Sequence, residues 1–99
     1  MFELKHIVEC IGTFIFLSVI IKNVKAGISW APIPIVVALL AVIFWGGSIS
    51  GGHFNPAVTT MFYLDNNMEL QDAIMYVASQ LVGAYGALMF YKMTAKKAD

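Results

Sequence analysis

The sequence predicts an all-α membrane protein with three transmembrane helices and one re-entrant half-helix. Hydrophobic residues make up 60% of the 99 residues and charged residues only 12%, which lies outside the range of soluble domains. Each transmembrane helix needs ~20 mostly apolar residues, so the chain has room for about three. The remaining apolar stretch is interrupted by a polar, glycine-rich break. Irregular backbone at membrane depth occurs only where it packs against protein or lines a water-filled cavity.

The first transmembrane helix is predicted over residues 5–23. Its apolar run, residues 7–21, lies between two lysines whose side chains can reach the membrane interface. A secretory signal peptide is the alternative for an N-terminal apolar run, but Glu9 interrupts this one and few positive charges precede it. The single cysteine, Cys10, is interpreted as a small core residue and not as a reactive thiol.

The second transmembrane helix is predicted over residues 32–48. It follows a turn-like segment, residues 23–27, and Trp30, an aromatic residue of the kind that anchors helices at the interface. Pro32 and Pro34 would fall in the first turn, where a missing backbone N–H is tolerated.

Residues 50–64 are predicted to form the re-entrant loop and the half-helix. Asn55 is a favourable N-cap, and Pro56 is a favourable first helical residue. A helix from Pro56 to Leu64 rises only ~13 Å, against a hydrocarbon core of ~30 Å. This segment can therefore reach only about halfway across the bilayer.

The third transmembrane helix is predicted over residues 70–92, after the polar turn at residues 65–67. Small side chains at four-residue spacing allow membrane helices to approach closely. We expect the following small residues to serve in helix packing: Gly12, Ser79, Gly83, Gly86 and Ala87.

The broken segment combines hydrogen-bond acceptors and donors. Gly51 and Gly52 allow a sharp turn that presents backbone carbonyls to a solute. The Asn55 amide and the free N–H groups of the following half-helix add donors, with the positive end of the helix dipole behind them. Such an arrangement suits polar, uncharged solutes and repels cations, because it replaces hydration without binding a full charge.

The segment Ser50–Thr59, Ser-Gly-Gly-His-Phe-Asn-Pro-Ala-Val-Thr, closely resembles the signature of the aquaporin and glycerol-facilitator family, the major intrinsic proteins. Two further segments resemble family patterns in the same order. Glu9–Thr13 is similar to the first-helix pattern of a glutamate followed by Gly-Thr, and Gln80–Ala84 is similar to the third-helix Gln-x-x-Gly-Ala. The resemblance covers most of the chain.

The resemblance implies a loop that reaches the bilayer midplane and lines a solute path. The residues that it places on the path are Gly51, Gly52, His53, Asn55, Pro56 and Ala57. It also implies that Glu9 and Gln80 hold the loop in shape. The alternatives are that Glu9 reaches water at the interface and that Gln80 makes an ordinary interhelical bond. His53 has no second ligand at metal-binding spacing, so neither a metal nor a cofactor is expected.

Full-length members of the resembled family contain two such units as an inverted repeat, with the pore between them. This chain has one unit, residues 1–99, which resembles the first repeat. We therefore expect its partners to be the bilayer, a small uncharged solute, and either an inverted copy of itself or a complementary half-protein, with a tetramer-like assembly as a further step. No nucleic acid is expected, since no basic tract is present.

The constriction of such a pore would be apolar. Alignment on Asn55 gives Ile35, Ile43 and Val58 as filter candidates, and the chain contains no arginine. A pore built only from this chain is therefore predicted to pass water without fully excluding glycerol-sized solutes.

The lysines favour one orientation in the membrane. Only Lys5 lies on the side of the N-terminus and the re-entrant loop, whereas five lysines lie on the other: Lys22, Lys25, Lys92, Lys96 and Lys97. The positive-inside rule then places the N-terminus outside, whereas the family resemblance places it inside. Identical chains in both orientations, or a different partner half, remain the two ways to close a pore.

These observations favour a channel subunit for water or small uncharged solutes such as glycerol or ammonia. The alternative is a non-conducting subunit, or a truncated relic, that pairs with full-length channels. Met1 and the polar tail are expected to be true ends, which argues mildly against a random fragment. An enzyme is not expected, because Glu9, Cys10 and His53 lack the spacing of a nucleophile and its base.

Overall fold

A computed structural model describes the backbone of residues 2–98 and the side chains of residues 2–95. It contains four helices: α1 (Leu4–Lys25), α2 (Pro32–Ser50), α3 (Pro56–Leu64) and α4 (Leu70–Ala98). Helices α1, α2 and the part of α4 from Leu70 to Ala95 are long and apolar enough to cross a membrane. The fold class predicted from the sequence is therefore confirmed, and the chain is an integral, multi-pass membrane protein. The predicted spans lie inside these helices, and the points at which each helix enters the bilayer stay a prediction.

The helix ends follow the local sequence. At the start of α1, the His6 ring nitrogen Nδ1 accepts a hydrogen bond from the Glu3 backbone N–H at 3.0 Å. Pro32 begins α2, where its missing N–H costs nothing. This helix ends at Gly51, whose φ of 90° is left-handed and whose N–H bonds the Gly47 carbonyl at 2.8 Å. Asn55 caps α3 by accepting from the Ala57 N–H at 2.8 Å.

Helix α1 lies at the centre of the molecule. It packs against α2 on one side and α4 on the other, whereas the half-helix α3 packs against α4. Helices α1 and α4 run in the same direction, because Lys5 pairs with Asp72 near their N-terminal ends and Phe14 contacts Phe90 further along. This places the loop between α2 and α3 beside the first half of α1.

Small residues let these elements approach closely. A Cβ atom at Gly83 would lie 2.5 Å from the Cys10 carbonyl oxygen, so α1 and α4 meet backbone to backbone there. Ser79 and Ala87, four residues before and after Gly83, are also buried. Gly86 faces Phe14 with more room, since a Cβ there would be 3.4 Å from the ring.

The apolar core is small and holds the loop. It consists of Val8, Val42 and Phe54, each at most 3% exposed, with Phe16 and Leu39 packed against them. Many other large apolar side chains are exposed, for example Phe44 at 80% and Ile33 at 65%. Apolar side chains that face hydrocarbon or another membrane helix need no burial within the chain, so this surface suits a membrane.

Candidate functional site

The loop between α2 and α3 has an unusual backbone. Gly51 and Gly52 have φ values of 90° and 66°, and Phe54 has a φ of 50°. Glycine adopts such angles freely, but a bulky residue at positive φ is a strained exception. Phe54 is held there by burial, because its ring occupies the space that a Cβ at Gly12 would otherwise fill. Gly12 is thus required by the loop, in addition to its predicted role in helix packing.

Glu9 lies under this loop and is completely buried. Its Oε1 accepts from the Phe54 N–H at 2.8 Å and from Gln80 Nε2 at 2.9 Å. Its Oε2 accepts from the Ser50 hydroxyl at 2.7 Å and from the His53 N–H at 3.0 Å. Four donors match a carboxylate, whose two oxygens only accept and offer about four acceptor positions. Buried charge is tolerated when it is fully hydrogen-bonded in this way.

Gln80 extends the network from Glu9 to the half-helix. Its amide Nε2 donates to Glu9 and also to Thr59 Oγ1, at 2.9 Å in both cases. Thr59 is fully buried, and its Oγ1 lies 2.8 Å from His53 Nδ1. The hydrogen bond between the Thr59 hydroxyl and His53 Nδ1 runs in either direction, according to the tautomer of the imidazole.

Several members of this network were missed by reasoning from the sequence. Ser50 and Thr59 flank the motif, and Tyr76 donates from its hydroxyl to the Ser50 carbonyl at 2.6 Å. Ser50 Oγ also accepts from the Gly52 N–H at 3.1 Å. Two signals in the sequence were available: a serine two residues before a glycine favours such a local turn, and Tyr76 is one helical turn before Gln80 on the same face of α4.

The residues predicted to line a solute path differ in exposure. Gly51, Asn55, Pro56 and Ala57 are exposed, whereas Gly52 and His53 are half-buried. Asn55 Oδ1 is occupied by the Ala57 N–H, which leaves the Nδ2 group without a partner among residues 2–95. The amide therefore presents donors at the start of the half-helix.

The three filter candidates are not brought together by a single chain. Ile43 lies beside the loop, since its Cγ1 would be 3.6 Å from a Cβ atom at Gly52. Ile35 precedes Ile43 by about two turns of α2, or ~12 Å along the helix axis. Val58 is half-buried in the first turn of α3. Ile35 and Ile43 therefore lie at different levels along α2.

A second polar cluster joins the N-terminal ends of α1 and α4. Asp72 accepts from Lys5 Nζ at 3.0 Å and from His6 Nε2 at 2.7 Å. His6 is buried and meets the Tyr76 ring edge to face at 5.5 Å. Through Tyr76 this cluster is continuous with the loop network. Among residues 2–98, no group of three or more His, Cys, Asp or Glu side chains is arranged to hold a metal ion.

The sequence of this chain is similar to those of known membrane proteins. The family model of the major intrinsic proteins matches residues 2–99. The lens fiber major intrinsic protein of Oryctolagus cuniculus is 38% identical over 91 residues, which cover 82% of this chain and 35% of that protein. The glycerol uptake facilitator protein-like 6 of Lactiplantibacillus plantarum is 35% identical over 83 residues, which cover 81% of this chain and 38% of that protein.

A third relative has a similar identity to this chain. The lens fiber major intrinsic protein of Lithobates pipiens is 35% identical over 96 residues, covering 87% of this chain and 35% of its own length. The chain thus spans about a third of the length of the curated relatives that it matches. No solved structure matches it. Since the family model covers nearly the whole chain, and the loop geometry is built on the segments that carry the resemblance, this chain belongs to the major intrinsic protein family.

Proposed function

We propose that this chain is a channel subunit for the passive transport of water or small uncharged solutes. The proposal rests on one observation. A loop whose backbone is fixed by hydrogen bonds carries polar groups that have no hydrogen-bond partner in the described part of the chain. The Glu9 carboxylate fixes the backbone at His53 and Phe54, and the Asn55 side chain beside them presents its Nδ2 donors. Lipid tails offer such a donor no acceptor. A solute that has lost its hydration water can accept the hydrogen bond instead.

The electrostatics of the loop fit an uncharged solute. Backbone carbonyls of the Gly51–His53 segment offer acceptors, and the α3 N-terminus adds donors with the positive end of its dipole. The dipole opposes the entry of cations, and the buried Glu9 carboxylate, with all its positions occupied, offers no binding site to one. We infer that Gly51, Gly52, His53, Asn55, Pro56 and Ala57 line the path.

The path needs a second half. One unit exposes Asn55, Pro56 and Ala57, and polar groups at the bilayer midplane require a protein or water neighbour. We propose that residues 1–99 act as one half-unit whose pore is completed by an inverted second copy or by a complementary half-protein. Ile35 from one half would then meet Ile43, Gly52 and Val58 from the other, and such pores would assemble further into a tetramer-like complex.

The uneven distribution of lysines favours a partner other than an identical chain. If the lysine-rich end always faces the cytoplasm, identical chains cannot pair in opposite orientations. The chain would then associate with a different half or with a full-length channel, as a conducting partner or a regulatory one.

Vesicle swelling tests the channel. We expect vesicles containing only this chain to take up water, glycerol and ammonia faster than empty vesicles. Asn55→Asp should reduce the rate about tenfold, because losing one hydrogen bond at the barrier costs about 1.4 kcal/mol. Asn66→Asp is the matched control, since Asn66 lies in the exposed turn after α3, with a φ of 62° that aspartate tolerates.

Each outcome has one meaning. Flux equal to that of empty vesicles would exclude a channel made from this chain alone and leave the proposal of a complementary half. Flux that is unchanged by Asn55→Asp would exclude Asn55 from the path. Equal losses in Asn55→Asp and Asn66→Asp would point to a general effect of the added charge.

A further inference from the structure

A pocket of about 140 Å³ lies between α1 and α4 toward their C-terminal ends, far from the loop network. Its lining residues are Ser18, Lys22, Ala87, Phe90, Tyr91 and Thr94. Because α1 and α4 are parallel, the C-terminal ends of both helices lie on the same side of the membrane. The pocket therefore opens near that membrane surface.

The rim of this pocket is polar and its wall is apolar. Ala87 and Phe90 form the apolar part, whereas Lys22 and Tyr91 contribute an ammonium group and a phenol hydroxyl. Neither the Lys22 ammonium nor the Tyr91 hydroxyl bonds to another side chain in the part of the protein whose side chains are described. The Thr94 hydroxyl, by contrast, already donates to the Phe90 carbonyl at 3.0 Å. Two free donors thus border an apolar recess.

Among residues 2–95, the charged side chains near the pocket are all positive. Lys22 and Lys25 lie in the last turn of α1, and Lys92 follows Tyr91 on α4. The carboxylates of Glu3, Glu69 and Asp72 lie at the opposite end of the molecule, where Asp72 already pairs with Lys5. A negatively charged ligand is therefore attracted to the pocket from the membrane surface.

The depth of the pocket matches that of a lipid headgroup. Lys22 is one turn before the end of α1, and Trp30 in the next connection is 61% exposed, as expected of an interfacial anchor. Tyrosine is also enriched at this level of a membrane. A phosphate at this depth meets the Lys22 and Tyr91 donors, while the attached acyl chains continue past Phe90 toward the bilayer interior.

We propose that this pocket binds the phosphate of an anionic phospholipid, with Lys22 Nζ and the Tyr91 hydroxyl as donors. Anionic lipids are concentrated in the leaflet to which lysine-rich ends are oriented. The proposal concerns the C-terminal ends of the α1–α4 pair and does not depend on conduction. The uneven distribution of lysines would then affect lipid binding as well as the orientation of the chain.

Native mass spectrometry of the detergent-solubilised chain tests this site. The chain is titrated with phosphatidylglycerol and with phosphatidylcholine that carry the same acyl chains. We expect phosphatidylglycerol to be retained preferentially. Lys22→Gln should reduce this preference about tenfold, through the loss of one hydrogen bond between charged groups. Tyr91→Phe should reduce it about threefold through the loss of one hydrogen bond.

The matched controls are Lys25→Gln and Lys92→Gln, which remove the same charge outside the pocket. Both should keep the lipid preference of the original chain. Equal losses in Lys22→Gln and in these controls would overturn the proposal in favour of diffuse attraction. Equal binding of the two lipids would overturn it as well. A change of oligomeric state in Lys22→Gln, without a change in lipid preference, would show that the pocket is a protein interface.

Discussion

At the scale of single residues, the loop is held by side chains that each satisfy several partners. Thr59 is the clearest case, because it is fully buried and links the Gln80 amide to the His53 ring. Replacing its hydroxyl by a methyl group leaves both partners unsatisfied in a buried site. Each buried polar group that loses its hydrogen bond lowers the free energy of unfolding by about 1–3 kcal/mol.

We therefore expect Thr59→Val to lower the free energy of unfolding by about 2 kcal/mol, measured by thermal unfolding of the purified chain in detergent. Thr60→Val is the matched control. The Thr60 hydroxyl is exposed and donates only to the Pro56 carbonyl of its own helix, at 2.8 Å. Equal stability losses in the two variants would contradict a bracing role for Thr59.

Glu9 provides a second residue-scale prediction. In Glu9→Gln, an NH₂ group replaces one acceptor oxygen, so it meets two of the four donors that surround Glu9. We expect the loop to lose its fixed shape, with flux in vesicles falling at least about tenfold, because two lost hydrogen bonds exceed 1.4 kcal/mol. Glu3→Gln is the control, since Glu3 is exposed. Unchanged flux in Glu9→Gln would exclude a loop-supporting role in transport.

At the scale of the elements, the contact between α1 and α4 depends on where glycine lies. A Cβ at Gly83 would meet the Cys10 carbonyl oxygen at 2.5 Å, and backbone cannot move aside cheaply. A Cβ at Gly86 would meet the Phe14 ring at 3.4 Å, which a small ring shift relieves.

We expect Gly83→Ala to destabilise the chain by about 1–3 kcal/mol, the usual cost of overpacking. Gly86→Ala should be close to neutral or slightly stabilising, because alanine is the better helix former. Thermal unfolding of both variants in the same detergent compares them directly. A larger loss of thermal stability in Gly86→Ala than in Gly83→Ala would contradict this packing register of α1 against α4.

The order and type of the elements could be predicted because each has a local signal. Pro32, Asn55 and Pro56 mark helix starts through their own backbone chemistry, and the length of an apolar run distinguishes a full span from a half-helix. Local signals mark Ser50 and Tyr76 as members of the network, but the links from Thr59 to His53 and from Tyr76 to Ser50 could not be predicted in this way. They join α3 and α4 to the loop, and the rotation of a half-helix against its neighbour is set by packing, which no local signal specifies.

At the scale of the whole molecule, the filter predicted for this chain is apolar. The apolar candidates Ile35, Ile43 and Val58 contribute no charge to a constriction, and the chain has no arginine. We expect vesicles that conduct water to conduct glycerol as well. Stopped-flow measurements that show water uptake with complete exclusion of glycerol would contradict this composition of the filter.

Orientation is the other prediction at this scale. Five of the six lysines lie on the side of the C-terminus, which alone would place a C-terminal tag on the cytoplasmic face. Because an inverted pair of identical chains needs both orientations, we expect the tag on both faces. Protease protection in intact cells and in inverted vesicles measures this location. A tag on one face only would exclude an inverted pair of identical chains, and a tag on both faces in similar amounts would contradict the lysine bias.

The four hydrogen bonds of Glu9 also constrain how the protein is made. During synthesis α1 enters the membrane first, whereas the partners of its carboxylate come 41, 44, 45 and 71 residues later. An unpaired carboxylate inside a helix opposes insertion by about 2.5–3.5 kcal/mol. The apolar side chains of α1 outweigh this cost, so the helix inserts first, and the hydrogen bonds to the loop and then to Gln80 remove the cost as the later segments are made. The first span therefore gains stability in the membrane from residues that are synthesised after it.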